Sequence, residues 1–127
     1  MPVLVDTSVW VDHLNRGEPA LARLLRAGRV CTHEIVLGEL LSGNLPARSR
    51  TSAIFLNLPR LQTEKFKVTL RFIEHHRLHG RGLNWNDLGL LASVAVADAS
   101  EFWTRDKTLR TSAAEIEIPL FDEGISD

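Results

Sequence analysis

Short apolar segments rich in β-branched or aromatic residues alternate with segments of helical apolar spacing along this chain of 127 residues. Val3–Val5, Val30–Thr32 and Phe102–Thr104 are predicted strands. Strands that alternate with helices favour a parallel sheet with helices on both faces. The sequence therefore predicts a three-layer α/β/α sandwich with a mostly parallel central sheet, formed by one domain over residues 1–127.

Apolar residues recur at helical spacing between these strands. The predicted helices cover Val9–Leu14, Pro19–Ala27, Glu34–Leu41, Ala47–Leu56, Glu64–His76, a segment from Asn84 or Asn86 to Ala97, and Leu109–Glu115. The segment that ends at Ala97 is apolar almost all round, which predicts a core helix. Ile116–Phe121 is predicted as a last strand, and Pro119 confines it to an edge of the sheet.

Composition narrows the class of protein. With 44% hydrophobic and 24% charged residues and a net charge of -1, the chain is typical of a globular domain and not of a polycationic tail. The longest strongly apolar run, Leu88–Ala97, is too short to cross a bilayer, and no signal peptide is expected. The single Cys31 fits a reducing compartment, so a cytoplasmic location is expected.

Four acids stand at positions that a parallel sheet brings together. Asp6 and Asp106 each follow a predicted strand, and Asp87 opens the predicted core helix. Because the carboxyl ends of parallel strands meet at one edge, where ligands bind in such sheets, these side chains are expected there. Glu39 lies among apolar residues of a predicted helix, where an unpaired carboxylate would cost several kcal/mol.

Each acid alone also has a structural interpretation. Asp6 could cap a helix, Asp87 could interact with a helix dipole, and Asp106 could close a turn. Glu39 could pair with an arginine such as Arg23 or Arg26. What favours a shared site is the convergence of all four acids, three of them without a basic neighbour in sequence, because crowded like charges need a cation.

Oxygen-only ligands select hard ions, so the sequence predicts Mg²⁺ or Mn²⁺. The five histidines show no ligand spacing that repeats with the acids. Since a carboxylate-bound Mg²⁺ prefers substrates that bring phosphate oxygens, the expected reaction is attack of a metal-activated water on a phosphodiester.

Four motifs in this order resemble those of the PIN domain family, and more closely those of VapC-type toxins from toxin-antitoxin pairs. They are Val3–Val9, Glu39–Gly43, Asp87–Ala92 and Trp103–Asp106, and the resemblance spans nearly the whole chain. It implies an α/β/α sandwich, a metal-dependent ribonuclease activity and a cognate VapB-type antitoxin. It also implies a homodimer.

Carried over by position, the resemblance assigns catalysis and Mg²⁺ or Mn²⁺ binding to Asp6, Glu39, Asp87 and Asp106. Ser8 would support the ligand shell, and Thr104 would orient the neighbouring acid. Many relatives have a further acid two positions after the fourth, where this chain has Thr108, so a complete second metal site is not implied. The implied products carry a 5′-phosphate and a 3′-hydroxyl.

The function that this resemblance implies is an endoribonuclease toxin that cleaves structured RNA, tRNA or rRNA, and is neutralised by its antitoxin. One alternative is a non-catalytic PIN-fold module that binds RNA or an antitoxin. Another is an α/β phosphotransfer enzyme; the haloacid-dehalogenase version needs a second acid where this chain has Ser8.

Basic residues concentrate in the middle of the chain. Between Asn44 and Gly82 there are eight basic and two acidic residues, whereas the remainder has seven basic and fourteen acidic residues. Beside a metal site, this segment is predicted to bind RNA phosphates. The predicted RNA contacts are Arg48, Arg50, Arg77, Arg81 and, by base stacking, Trp85. Trp10 and Trp103 are predicted core residues.

Overall fold

Three short parallel strands form the centre of the fold in a computed structural model that describes residues 1–97 and 100–125. The strands are β1 (Val3–Val5), β2 (Val30–Cys31) and β3 (Glu101–Trp103), in the order β2-β1-β3. The central strand β1 is completely buried. The carboxyl ends of all three strands therefore open on one edge of the sheet.

Helices flank this sheet, as the sequence predicts. They are α1 (Thr7–Arg16), α2 (Pro19–Arg26), α3 (Glu34–Leu41), α4 (Arg48–Leu56), α5 (Phe66–His76), α6 (Trp85–Ala97) and α7 (Lys107–Glu115), followed by a 3₁₀ turn at Glu123–Ile125. In residues 1–97 and 100–125, no helix is long and apolar enough to cross a membrane.

Helix α6 is the core helix that its composition predicts, except in its last turn. Leu91 and Ala92 are fully buried, but residues 95–97 are exposed, and Val96 keeps 55% of its surface accessible. A Cβ at Gly89 would lie 3.0 Å from Cδ1 of Ile35, so glycine allows α6 to approach α3 closely. This approach brings the start of α6 toward the edge where the strands end.

The predicted strand Ile116–Phe121 is wrong. Within the described residues, this segment contributes only an isolated parallel bridge, between Leu120 and Phe102. The N–H of Ile118 donates to the carbonyl of Ala113 and so completes the end of α7 instead of a ladder. Pro119 has no N–H to give, which prevents a continuous edge strand.

Cys31 lies in β2 and is buried. Burial raises the pKa of its thiol to about 11, because the charged thiolate loses hydration there. The side chain is therefore a core residue at neutral pH rather than a nucleophile.

Candidate active site

Asp6 is the buried centre of the site. It directly follows β1, and only 7% of its surface is exposed. One carboxylate oxygen, Oδ2, accepts hydrogen bonds from the hydroxyls of Ser8 at 3.0 Å and Thr104 at 2.7 Å. The carboxylate does not cap α1. The simple helix-cap interpretation of Asp6 is therefore wrong.

Ser8 and Thr104 connect three parts of the chain around this carboxylate. The hydroxyl of Thr104 also accepts the N–H of Asp106 at 3.1 Å, and that of Ser8 accepts the N–H of Arg105 at 3.0 Å. Each hydroxyl thus donates to Asp6 and accepts from the segment that follows β3. The segment that carries Asp106 is thereby fixed relative to Asp6.

Glu39 reaches the site from α3, but its environment differs from the apolar one that the sequence predicts. Its side chain is exposed, because helix α3 directs Val36 and Leu40 into the core and turns Glu39 outward. Oε1 accepts a 2.6 Å hydrogen bond from the hydroxyl of Thr7. In the described part of the chain Glu39 forms no ion pair, so the suggested pairing with Arg23 or Arg26 is wrong.

Asp87 and Asp106 stand near the starts of α6 and α7. Asp87 exchanges hydrogen bonds with Asn84: its Oδ2 accepts the Asn84 N–H at 3.2 Å, and its own N–H donates to Asn84 Oδ1 at 2.8 Å. Asp106 is exposed, and its Oδ1 caps α7 by accepting the N–H of Leu109 at 3.0 Å. These contacts satisfy helix ends and also fix the direction of both carboxylates.

Asp87 lies near enough to the other three acids for their charges to act on it. Its pKa lies above the ordinary value, first because of burial and then because of the negative charges of Asp106, Asp6 and Glu39. Across residues 1–97 and 100–125, none of the four forms an ion pair with a basic side chain. No direct ion pair within the described chain therefore offsets their mutual repulsion.

Within the described chain, each of the four carboxylates accepts hydrogen bonds through only one of its two oxygens. In each of the four, one oxygen accepts the contacts given above, and the other accepts none from the described residues. Such an arrangement orients an oxygen ligand while leaving its second oxygen for a cation. The donor chemistry fits Mg²⁺ or Mn²⁺.

No three His, Cys, Asp or Glu side chains in this part of the chain form a ready metal-binding cluster. The four acids therefore have the ligand type and the orienting hydrogen bonds that a metal centre needs. Their carboxylates do not lie close enough together to form a coordination shell.

Two of the four predicted RNA-binding arginines are engaged within the chain. The guanidinium of Arg48 donates to the carbonyls of Gly43 at 2.9 Å and Leu41 at 2.5 Å, at the end of α3. Arg81 pairs with Glu115 at 2.6 Å. These two roles were not foreseen, because their acceptors are distant in sequence or are backbone atoms.

Arg50 and Arg77 are exposed, and neither forms an ion pair within the described residues. Trp85, at the start of α6, is 47% exposed, whereas Trp10 and Trp103 are buried as predicted. All five predicted RNA contacts are therefore exposed, and Arg50, Arg77 and Trp85 form no side-chain hydrogen bond or ion pair within the described residues.

Arg105 is the main residue that sequence analysis missed. Its guanidinium forms ion pairs with Asp12 at 2.7 Å, with Glu18, and with Glu123 at 2.6 Å. It also lies 5.6 Å from the ring centroid of Trp103. The only signal in the sequence is its position between two site residues, since its partners come from distant segments.

Comparisons with known proteins agree with this architecture. The PIN domain family profile matches residues 3–114. The chain is 36% identical to Ribonuclease VapC32 from two strains of Mycobacterium tuberculosis, CDC 1551 / Oshkosh and H37Rv, over 95% of this chain and 98% of each relative. A chain in the structure of VapBC-1 from nontypeable Haemophilus influenzae superposes with a TM-score of 0.71 at 13% identity, covering 96% and 98% of the two chains.

Proposed function

Because this chain belongs to the PIN domain family, we propose that it is a metal-dependent endoribonuclease of the VapC type. The observation that carries the proposal is that the charges of Asp6, Glu39 and Asp106 act on Asp87, while none of the four acids forms an ion pair with a basic side chain in the described chain. A relative with 36% identity that is named a ribonuclease supports the same activity.

The four acids would hold one Mg²⁺ or Mn²⁺, each through the oxygen that accepts no hydrogen bond from the described chain. When bound, the ion supplies positive charge to a phosphodiester and lowers the pKa of an attacking water. Thr108, which is exposed on α7, offers no carboxylate for a complete second site. We therefore expect one fully coordinated ion.

The remaining residues of the site hold the acids in place. Ser8 and Thr104 orient Asp6, Thr7 orients Glu39, and Asn84 orients Asp87. Oriented carboxylates lose little conformational entropy when a cation and a phosphate arrive, which lowers the barrier to reaction. Substitution of these partners is expected to weaken catalysis without removing a ligand.

The substrate in this proposal is a structured RNA, with tRNA and rRNA as the first candidates. Its phosphates would contact the basic segment through Arg50 and Arg77, and a water would attack phosphorus so that the 3′-oxygen leaves. The products would carry a 5′-phosphate and a 3′-hydroxyl, and the ribose 2′-hydroxyl would not be the nucleophile. The resemblance to VapC-type toxins further supports a VapB-type antitoxin and a homodimer as partners.

The test is cleavage of total tRNA and of rRNA fragments by the purified protein with Mg²⁺ or Mn²⁺. We expect cleavage that chelator abolishes and that Asp6→Asn reduces by about a thousandfold or more. Asp122→Asn, which changes an exposed acid and keeps an oxygen for the Gly124 N–H, is the matched control and should cleave normally.

Analysis of the product ends tests the mechanism separately. A 2′-O-methyl group at the cleaved position should leave the bond cleavable with the same end groups, whereas a 2′,3′-cyclic phosphate product would contradict the proposed attack by water. RNA binding without cleavage in every metal condition would instead favour the non-catalytic module.

A further inference from the structure

Phe66 and Trp85 form an exposed aromatic pair. Phe66, the first residue of α5, is 63% exposed, and Trp85, the first residue of α6, is 47% exposed. Their ring centroids lie 5.4 Å apart, with the planes inclined by 40°. Large aromatic side chains usually bury most of their surface, so two in contact at the surface indicate a binding surface.

Helix α6 connects this pair to the acidic site. Trp85 precedes Asp87 by two positions in α6, a rise of about 3 Å along the helix axis, and the two side chains leave the helix on different faces. The segment before Trp85 is held by the reciprocal hydrogen bonds between Asn84 and Asp87. The position of the indole is therefore tied to that of a proposed metal ligand.

Two lysines flank the pair. Lys65 and Lys67 stand on either side of Phe66, and both are exposed. Neither forms an ion pair with an acid in residues 1–97 or 100–125. An aromatic face with adjacent unpaired cations is the combination that binds unpaired nucleotides, because bases stack on the rings and phosphates contact the cations.

We propose that Phe66 and Trp85 stack an unpaired base of the RNA near the bond that is cut, while Lys65 and Lys67 contact the adjoining phosphates. The inference rests on the proposed ribonuclease function and adds Phe66, Lys65 and Lys67 to the residues that would bind the RNA. Charge favours RNA over an apolar protein segment, since an apolar partner leaves both lysines unused.

Fluorescence tests the stack directly, because Trp10 and Trp103 are buried and Trp85 is exposed. The probes are an RNA hairpin with an unpaired loop and a blunt duplex of the same stem. Both are added to the Asp6→Asn protein, which should bind RNA without cleaving it. We expect quenching of Trp85 emission by the hairpin, weaker quenching by the duplex, and no loop-dependent change in Trp85→Phe. Equal quenching by both RNAs would overturn the stack.

The affinity for the hairpin distinguishes base stacking from simple apolar contact. Phe66→Leu and Trp85→Leu keep an apolar side chain but lose the aromatic face, and each should weaken hairpin binding by about fivefold to a hundredfold. Trp85→Phe should retain most of the affinity. Ile54→Ala, at a residue 53% exposed on α4, is the matched control and should bind normally.

The lysines are tested by salt dependence. Replacing Lys65 and Lys67 by glutamine should reduce the slope of log affinity against log salt by about 0.7 for each lost phosphate contact. Unchanged affinity and slope would overturn their assignment.

The outcomes separate this inference from the proposed function. Absence of RNA cleavage by the wild-type protein contradicts the ribonuclease proposal, whereas normal cleavage and hairpin affinity in both leucine variants contradict only the stack. Sedimentation without RNA tests whether the pair instead joins two copies of the chain. If Phe66→Leu and Trp85→Leu abolish self-association and leave RNA binding intact, the pair is a contact between two copies, and the stack is overturned.

Discussion

The hydroxyl of Thr104 donates a 2.7 Å hydrogen bond to the carboxylate of Asp6, which lies 98 positions earlier in the chain. The same hydroxyl accepts the N–H of Asp106 at 3.1 Å. A single buried side chain therefore fixes two of the four acids relative to each other. The pairing of β1 with β3 makes this contact possible, because it places the residues that follow both strands side by side.

Loss of this hydroxyl should impair catalysis more than folding. Thr104→Val keeps the shape of the side chain but leaves Asp6 with Ser8 as its only hydroxyl partner in the described chain. We expect kcat for RNA cleavage to fall by about 10- to 100-fold, as is typical when a contact that orients a metal ligand is removed. Thr51→Val, which removes a 2.6 Å hydroxyl contact to Pro46, is the control and should cleave normally.

Asp87→Asn should stabilise the metal-free protein while it inactivates the enzyme. The folded-state pKa of Asp87 is raised, so the folded protein binds this proton more tightly than the unfolded chain does. The stability that protonated Asp87 contributes to the wild type is therefore lost as the pH rises from the ordinary pKa of 3.8 through the raised pKa. At pH 7 the charged carboxylate opposes folding. We expect a Tm about 2–5 °C higher for the variant at pH 7.

Calorimetry with chelator present checks this shift, and Asp122→Asn serves as the control. Since Asn retains an oxygen to accept the Asn84 N–H, the helix start should survive the substitution. A lower Tm in Asp87→Asn would contradict the account of repulsion among the acids.

His33 should make stability depend on pH. It is fully buried; Nδ1 accepts the N–H of Ile35 at 3.0 Å, and Nε2 lies 2.8 Å from the hydroxyl of Ser93. Burial lowers the pKa of His33 and outweighs the adjacent Glu34 charge, so the unfolded chain takes up a proton near pH 6.5 while the folded chain does not. The free energy of unfolding should therefore fall below pH 6.5, by up to about 1.4 kcal/mol per pH unit.

Urea unfolding between pH 5 and pH 8 measures this dependence. His33→Asn should give a flatter profile than the wild type, whereas substitution of the exposed His79 should leave the wild-type profile. Identical slopes for the wild type and His33→Asn would assign the dependence to other groups.

Arg105→Gln should destabilise the fold through its three acidic partners. The guanidinium is only 23% exposed, and its loss leaves Asp12, Glu18 and Glu123 close together without this cation. We expect a loss of about 1–3 kcal/mol, measured by urea unfolding. The free energy of unfolding of Arg105→Lys should lie between those of the wild type and Arg105→Gln, because lysine keeps the positive charge but lacks the planar guanidinium. Arg29→Gln, which breaks one 3.1 Å ion pair with Glu101 and a 3.0 Å hydrogen bond to the Met1 carbonyl, should cost less because only one acid loses its partner.

Much of this fold follows from local signals in the sequence. The alternation of strands and helices is confirmed, including the central β1 and the largely buried α6. The signals were sufficient because β1, β2 and α6 are strongly apolar and turn residues separate the elements. The strand predicted at Ile116–Phe121 failed because the end of α7 uses the N–H of Ile118 that a ladder would need.

The elements that carry the four acids were predictable from the sequence, but the contacts of these acids were not. Positions after parallel strands identify Asp6 and Asp106 without any knowledge of packing. The exposure of Glu39 depends on the rotation of α3, which apolar neighbours in sequence do not determine. The partners of Arg105 come from three separate segments, and only the tertiary fold brings such charges together.

The central claim, that the four acids bind one divalent cation, is tested most directly by titrating the protein with Mn²⁺ and measuring free Mn²⁺ by electron paramagnetic resonance. We predict saturable binding of one ion, lost in Asp6→Asn, weakened about tenfold or more in Glu39→Gln, Asp87→Asn and Asp106→Asn, and unchanged in Asp122→Asn. Equal binding by all these proteins, or no saturable binding by the wild type, would contradict it.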